Sequence, residues 1–121
     1  MPEIEAIVSD FGGVLTTPLL DSFMAVQDEI GIEPAQFGQA LRAVGEEDGV
    51  NPLYAMERGE ITEAAFLDRL TDGLEPLVGH RPHLHRFREI YLSALHPNEE
   101  LIGLMRELKE SGLRMAMLTN N

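Results

Sequence analysis

Ile4-Glu5-Ala6-Ile7-Val8-Ser9-Asp10-Phe11-Gly12-Gly13 is the stretch on which the reading of this chain turns. Ile4, Ala6, Ile7 and Val8 form a short apolar run that stops abruptly at an acid, an aromatic residue and two glycines. A run of that length, with β-branched residues and a glycine turn behind it, predicts a buried parallel strand rather than the first turn of a helix. Open α/β sheets place ligands beyond the carboxyl ends of their strands, where loops and helix starts present free backbone N–H groups. A carboxylate at that place, Asp10, can bind a divalent cation, attack an electrophile or simply cap a turn. Gly12 and Gly13 leave room for an anion to approach the backbone, yet both are also ordinary turn formers.

The far end of the chain supplies a counterpart. Residues 113–118 read as a second strand that runs out into Thr119-Asn120-Asn121. A helix starting at Pro97 precedes it, with Leu101, Ile102, Leu104, Met105 and Leu108 on one face and Gly112 at its end. If the two strands lie side by side and parallel, the Asp10 carboxylate and the Thr119 hydroxyl meet at one edge of the sheet. Thr119 and Asn120 then offer a hydroxyl and an amide donor, both suited to phosphate oxygens.

Everything between reads as helical. The periodicity predicts helices over 18–30, closing at Gly31, and over 34–43, ending near Gly45. A turn at 48–52 leads into a short helix over 52–58. Thr62 is the expected N-cap of the next helix, with Glu63 in its first turn and Ala65, Phe66, Leu70 and Leu74 as its apolar stripe. Pro82 is expected to open another, turning Leu84, Phe87, Ile90, Tyr91 and Leu95 inward. The fold class is therefore α/β, in the order strand, helical insert, helix, strand. Two strands are too few for a stable parallel sheet, and each keeps an unpaired apolar edge. The chain reads as incomplete, needing further polypeptide or a second copy, and the edges point to a homodimer.

Composition narrows the function. A hydrophobic share of 44% with 25% charged residues is that of an ordinary globular domain. There is no cysteine, which excludes disulfides and thiolate metal sites. The net charge is −12 and every Lys and Arg lies from Arg42 onward. So acidic a surface repels nucleic acid and anionic lipid, so neither is expected as a general partner. A phosphorylated substrate would have to be drawn in locally, by a metal ion and backbone amides. The start carries no signal-like segment, and no apolar run approaches the ~20 residues that span a bilayer, so a soluble cytoplasmic protein is expected.

With both strand ends in view, the sequence resembles the haloacid dehalogenase (HAD)-like hydrolase superfamily. Val8-Ser9-Asp10-Phe11-Gly12-Gly13-Val14-Leu15 is similar to its motif I, and Met115-Ala116-Met117-Leu118-Thr119-Asn120 to its motif II. Glu57-Arg58-Gly59-Glu60-Ile61-Thr62, with Phe66, is similar to a stretch in the helical cap of the subgroup whose cap lies between those motifs. The resemblance implies a Rossmann-like core of which residues 1–17 and 96–121 are part, and a largely α-helical cap over 18–95. It further implies a Mg²⁺-dependent phosphatase acting on a small phosphorylated metabolite through an aspartyl-phosphate on Asp10. Magnesium would be held by the Asp10 carboxylate and the Gly12 carbonyl. Thr119, Asn120 and the backbone N–H groups near Phe11 and Gly12 would hold phosphoryl oxygens.

Two departures stand out. Many phosphatases of the superfamily carry a second Asp, a general acid and base, where this chain has Gly12; its loss typically costs ~10²–10⁴ in rate. That favours good leaving groups such as sugar 1-phosphates or acyl phosphates. The family's later basic and acidic motifs are not in these residues, so the 121-residue chain alone is expected to be inactive. A dehalogenase, with Asp10 attacking carbon, is the enzymatic alternative; a non-catalytic, self-associating module is the other. Among the remaining residues, His80, His83, His85 and His96 could bind a metal but read better as solvated. Arg86-Phe87-Arg88 reads as a solvated helix face and Glu46-Glu47-Asp48 as an exposed acidic turn. The methionines at 24, 56, 105, 115 and 117 read as core fillers.

Overall fold

The computed structural model describes residues 3–119. In chain order its elements are β1 (Ala6–Ser9), α1 (Leu19–Ile30), α2 (Pro34–Asp48), α3 (Pro52–Glu57), α4 (Glu63–Val78), α5 (Phe87–Ser93), α6 (Glu99–Glu110) and β2 (Arg114–Met117). The two strands pair in parallel, Ala6 opposite Arg114 and Ser9 opposite Met117. The Leu118 N–H donates to the Ser9 carbonyl at 2.8 Å and carries the pairing one step further toward the strand ends. The class is thus mixed α/β, as the pattern of elements implied. Among the described residues no helix is long and apolar enough to cross a membrane.

Both strands are shorter than the apolar runs suggest, and they are not buried. Ser9 alone in β1 is buried, while Val8 is 65% and Met117 56% exposed. The reason is geometric: two strands cannot cover their own faces, and the one adjoining helix covers little. No residue of α6 is fully buried. Its Ile102 and Met105 share with Met115 and Met117 an open groove of about 450 Å³. Met24, expected in a core, is likewise 43% exposed.

The real core lies in the insert, where Val26, Phe37, Phe66, Leu70, Leu74 and Ile90 pack into one buried cluster. It depends on α2 and α4 coming close. A Cβ added to Gly73 of α4 would sit 2.8 Å from the Ala40 carbonyl oxygen and 3.0 Å from Val44 Cγ1 of α2. Arg69 then clasps the two helices, bonding Asp48 through both Nε and Nη2 at 2.9 Å, Glu47 at 3.2 Å and Asp72 at 3.0 Å. The Glu46-Glu47-Asp48 run is therefore no free turn. It is the last turn of α2, and Glu47 and Asp48 face the Arg69 guanidinium. Four rings, Phe23, Phe37, Phe87 and Tyr91, join α1, α2 and α5 at centroid separations of 5.4–6.3 Å. Phe87 thus belongs to the packing, while Arg86 pairs with Glu89 and Arg88 with Glu63 on the outside.

Helix starts and stops show where local signals were overridden. Thr62 caps α4 as expected, its hydroxyl accepting from the Ala65 N–H at 3.1 Å. Helix α2, however, runs through Gly45 and stops at Gly49, which takes the left-handed conformation. Gly45 lies inside the helix, where an added Cβ would stand 3.4 Å from the Asn51 Cα, an ordinary contact. Pro82 does not start a helix: it and Leu84 are buried in a segment without regular structure, and α5 begins only at Phe87, ending before Leu95. At Pro97 the helix start is displaced too, because Asn98 caps α6 by accepting from the Leu101 N–H at 3.2 Å.

The chain enters and leaves the insert at one place. Thr16 and Pro97 form an antiparallel bridge. The Thr17 N–H donates to His96 and the Asn98 N–H to Leu15, both at 2.8 Å. The Thr17 hydroxyl adds a bond to the Ala94 carbonyl and accepts from the His96 N–H, each 3.2 Å. Paired connectors of this kind hold the insert over one end of the sheet.

Two outcomes follow from the α2–α4 contact. Gly73→Ala should cost about 1–3 kcal/mol from overpacking, outweighing the ~1 kcal/mol that alanine adds in helix propensity, and a denaturant melt reads this. Asp72 is held below the usual aspartate range, first by the Arg81 hydrogen bond and also by that of Arg69. Its folded value lies below the unfolded ~3.9, so its contribution is complete above about pH 4 and is lost as pH falls through the folded value. At this exposure the effect should stay under about 1 kcal/mol, and Asp72→Asn should remove that part of the acid dependence in thermal melts.

Candidate active site

Parallel pairing in this register sends the chain out of β1 and β2 at the same edge. Asp10 follows Ser9, and Thr119 follows Met117 by two residues. A cleft of about 670 Å³ opens there, with Asp10, Phe11 and Gly12 on one side and Leu118 and Thr119 on the other. The insert closes it with Leu19 from α1, Glu57 from α3, and Tyr91 and Leu95 from α5 and the segment after it. Asp10, Phe11, Gly12 and Thr119, four of the residues singled out in the sequence, are therefore brought together. Asn120 lies outside the described residues.

The turn after β1 is a single wound loop. The Phe11 carbonyl accepts from the Val14 and Leu15 N–H groups at 3.2 and 2.9 Å. The turn's own bonds thus fall on Phe11 and not on the Gly12 carbonyl, the oxygen wanted for a metal. Gly13 reverses the chain at φ +77°, where a side chain is strained, and its N–H donates to the Thr16 hydroxyl at 2.9 Å. That N–H is therefore committed to the turn. The Phe11 N–H is committed as well: it donates to Asp10 Oδ1 at 2.7 Å, a charge-assisted bond that fixes the carboxylate's orientation. Of the N–H groups expected to meet an anion, Phe11 holds the acid itself.

Gly12 differs from Gly13 in a way that bears on the chemistry. Its φ is not left-handed, and an added Cβ would stand 3.5 Å from Leu19 Cδ2, an ordinary contact. Neither backbone nor space forbids a side chain at position 12. A glycine at position 12 is therefore not a steric necessity.

Glu57 and Tyr91 were given no role in the cleft from the sequence, because they reach it only through the folded insert. The sequence signals for them are that Glu57 lies in the stretch resembling a helical cap and that Tyr91 falls on an inward-facing helical stripe. Burial pushes the Tyr91 phenol up from its ordinary value, so it stays a protonated O–H across the physiological range.

Magnesium suits the donors present. It is a hard cation that takes one or two carboxylates, with substrate and water oxygens completing its shell. Asp10 and the Gly12 carbonyl are donors of that kind. Among the described residues no three metal-ligating side chains cluster, and the ion's usual coordination does not require three. His80, His83 and His85 are exposed, with the last two rings 6.4 Å apart.

The contrast between the glycines is measurable. Gly13→Ala should lose about 1–2 kcal/mol, the cost of a left-handed alanine, while Gly12→Ala should change stability by no more than about 0.5 kcal/mol. Urea titration of both variants checks it. No known family model matches this chain, and no curated protein matches it either.

Proposed function

We propose that this chain carries the nucleophile half of a HAD-like, magnesium-dependent phosphatase, with a Rossmann-like core and the helical insert as its cap. The observation that carries the reading is the in-register parallel pairing of Ala6–Ser9 with Arg114–Met117, which sets Asp10 and Thr119 in one cleft. The substrate class is a small phosphorylated metabolite.

In the first step Asp10 attacks phosphorus. An Asp10 oxygen–phosphorus bond forms, the bond to the ester oxygen breaks, and the leaving group departs with its electron pair. Water then attacks the aspartyl-phosphate, releasing inorganic phosphate and restoring the carboxylate. The hydrogen bond from the Phe11 N–H holds one Asp10 oxygen and so aims the other. The Thr119 hydroxyl, with Asn120 beyond it, positions phosphoryl oxygens. Bound magnesium would offset the repulsion between two anions. Gly12 supplies no proton, so leaving groups that depart unprotonated react best. Leu19, Tyr91 and Leu95 limit water on the insert side.

A second reading, self-association through the sheet, has its own support: Val8, Met117 and Leu118 are 65, 56 and 74% exposed along one short sheet. Unpaired apolar strands are templates for a second copy.

Amide NMR of the chain titrated with magnesium and inorganic phosphate tests the first reading. Signals of Asp10, Phe11, Gly12 and Thr119 should shift together, and the magnesium-dependent part should vanish in Asp10→Asn. Shifts scattered over the insert would refute it. On p-nitrophenyl phosphate this chain alone should release phosphate no faster than Asp10→Asn.

A further inference from the structure

Beyond the cleft lies a cavity of about 430 Å³ inside the insert, walled by Phe23, Phe37, Phe87 and Tyr91 and floored by Phe66 and Leu70. We infer that this cavity receives the leaving group of the substrate, and that the leaving group is a compact apolar one built on a single aromatic ring. The inference rests on the phosphatase reading of the Asp10 cleft and adds the substrate's other half.

Three observations carry it. First, cleft and cavity adjoin: Leu19, Glu57 and Tyr91 line both. A molecule with its phosphate beside Asp10 therefore has its organic part directed at the rings. Second, the cavity is apolar in a way that discriminates. Among the described residues its charged lining groups are Glu57, Glu63 and Arg88, and the last two pair with each other at 3.3 Å. A sugar buried there would leave hydroxyls without partners, which is costly, whereas a ring meets edge-to-face partners. Third, the rings pack against one another, with Phe37 buried and Phe23–Tyr91 and Phe37–Phe87 edge-on at 5.4 and 5.6 Å. The volume is at the small end of ligand pockets, enough for one ring and a short substituent.

Gly12 points the same way. Without an acid at that position the ester oxygen must leave as an anion, and a phenolate does so far more easily than a sugar alkoxide. Of the two leaving-group classes named from the sequence, sugar 1-phosphates and acyl phosphates, the first therefore loses ground, and an aryl phosphate takes its place.

The test is binding of non-hydrolysable probes to the chain with magnesium, by calorimetry. Benzylphosphonate should bind at least about tenfold tighter than methylphosphonate, and tighter than glucose 1-phosphate. Leu92→Trp, from α5, and Leu41→Trp, from α2, both add bulk to the cavity lining and should erase that difference while leaving methylphosphonate unchanged. Because they sit on different helices, a failure of one to fold leaves the other, and the wild-type comparison needs neither. Equal affinity for the two phosphonates, or preference for the sugar phosphate, overturns the inference. Benzyl alcohol separates the two claims. If it shifts the Phe23, Phe87 and Tyr91 ring signals while no phosphonate binds, the phosphate reading has failed and the apolar cavity stands. If methylphosphonate binds and benzyl alcohol does not, the apolar specificity alone is overturned.

Discussion

A single hydrogen bond, from the Leu118 N–H to the Ser9 carbonyl at 2.8 Å, closes the parallel ladder at the end where both strands run out. Parallel strands cannot be joined by a tight turn, so the chain must travel through a crossover before it returns. Here the crossover is six helices long. Its ends are nonetheless forced together by the ladder, and the register decides which residues leave the sheet beside one another. Slipping β2 by one residue would turn its side chains to the opposite face and carry Thr119 away from Asp10. The cleft exists only because this pairing holds.

The ladder is four residues long on each strand and largely exposed, so it does not stabilise itself. Stability resides in the insert, where close approach of α2 and α4 at Gly73 permits a buried cluster and Arg69 ties the helix surfaces. The bridge at Thr16 and Pro97 links the two regions. The division has a functional logic within the proposed chemistry. A well-packed helical body shapes and dries a pocket, while a thin sheet edge presents the reactive carboxylate. It also places selectivity in the aromatic wall and reactivity in the turn, so that either can change without the other.

The turn after β1 shows how few groups such an edge needs. Gly13 takes the left-handed conformation and spends its N–H on Thr16, while Phe11 spends its own on Asp10. What remains exposed is a carboxylate with a fixed direction and a glycine at position 12 that has room for a side chain. Under the proposed chemistry, a turn with room for a second carboxyl but without one suits substrates that need no proton.

The sequence alone determined the α/β character, the two strand segments, the helical run between them and the caps at Thr62 and Gly31, because these are local. An apolar run cut off by glycines, a 3.6-residue period and a hydroxyl before a first turn each declare themselves within a few residues. Asp10, Phe11, Gly12 and Thr119 were legible for the same reason, standing at the ends of predicted strands. Tertiary structure decided the rest. Helix α2 ran on past Gly45 to Gly49, and Pro82 stayed outside any helix in a segment where it and Leu84 are both buried. Val8 and Met117 remained exposed because two strands and one loosely set helix leave their faces uncovered. The aromatic cavity and its junction with the cleft at Leu19, Glu57 and Tyr91 join residues from α1, α3 and α5. No periodicity within one helix encodes how several helices pack, since that is set by which side chains interlock across them.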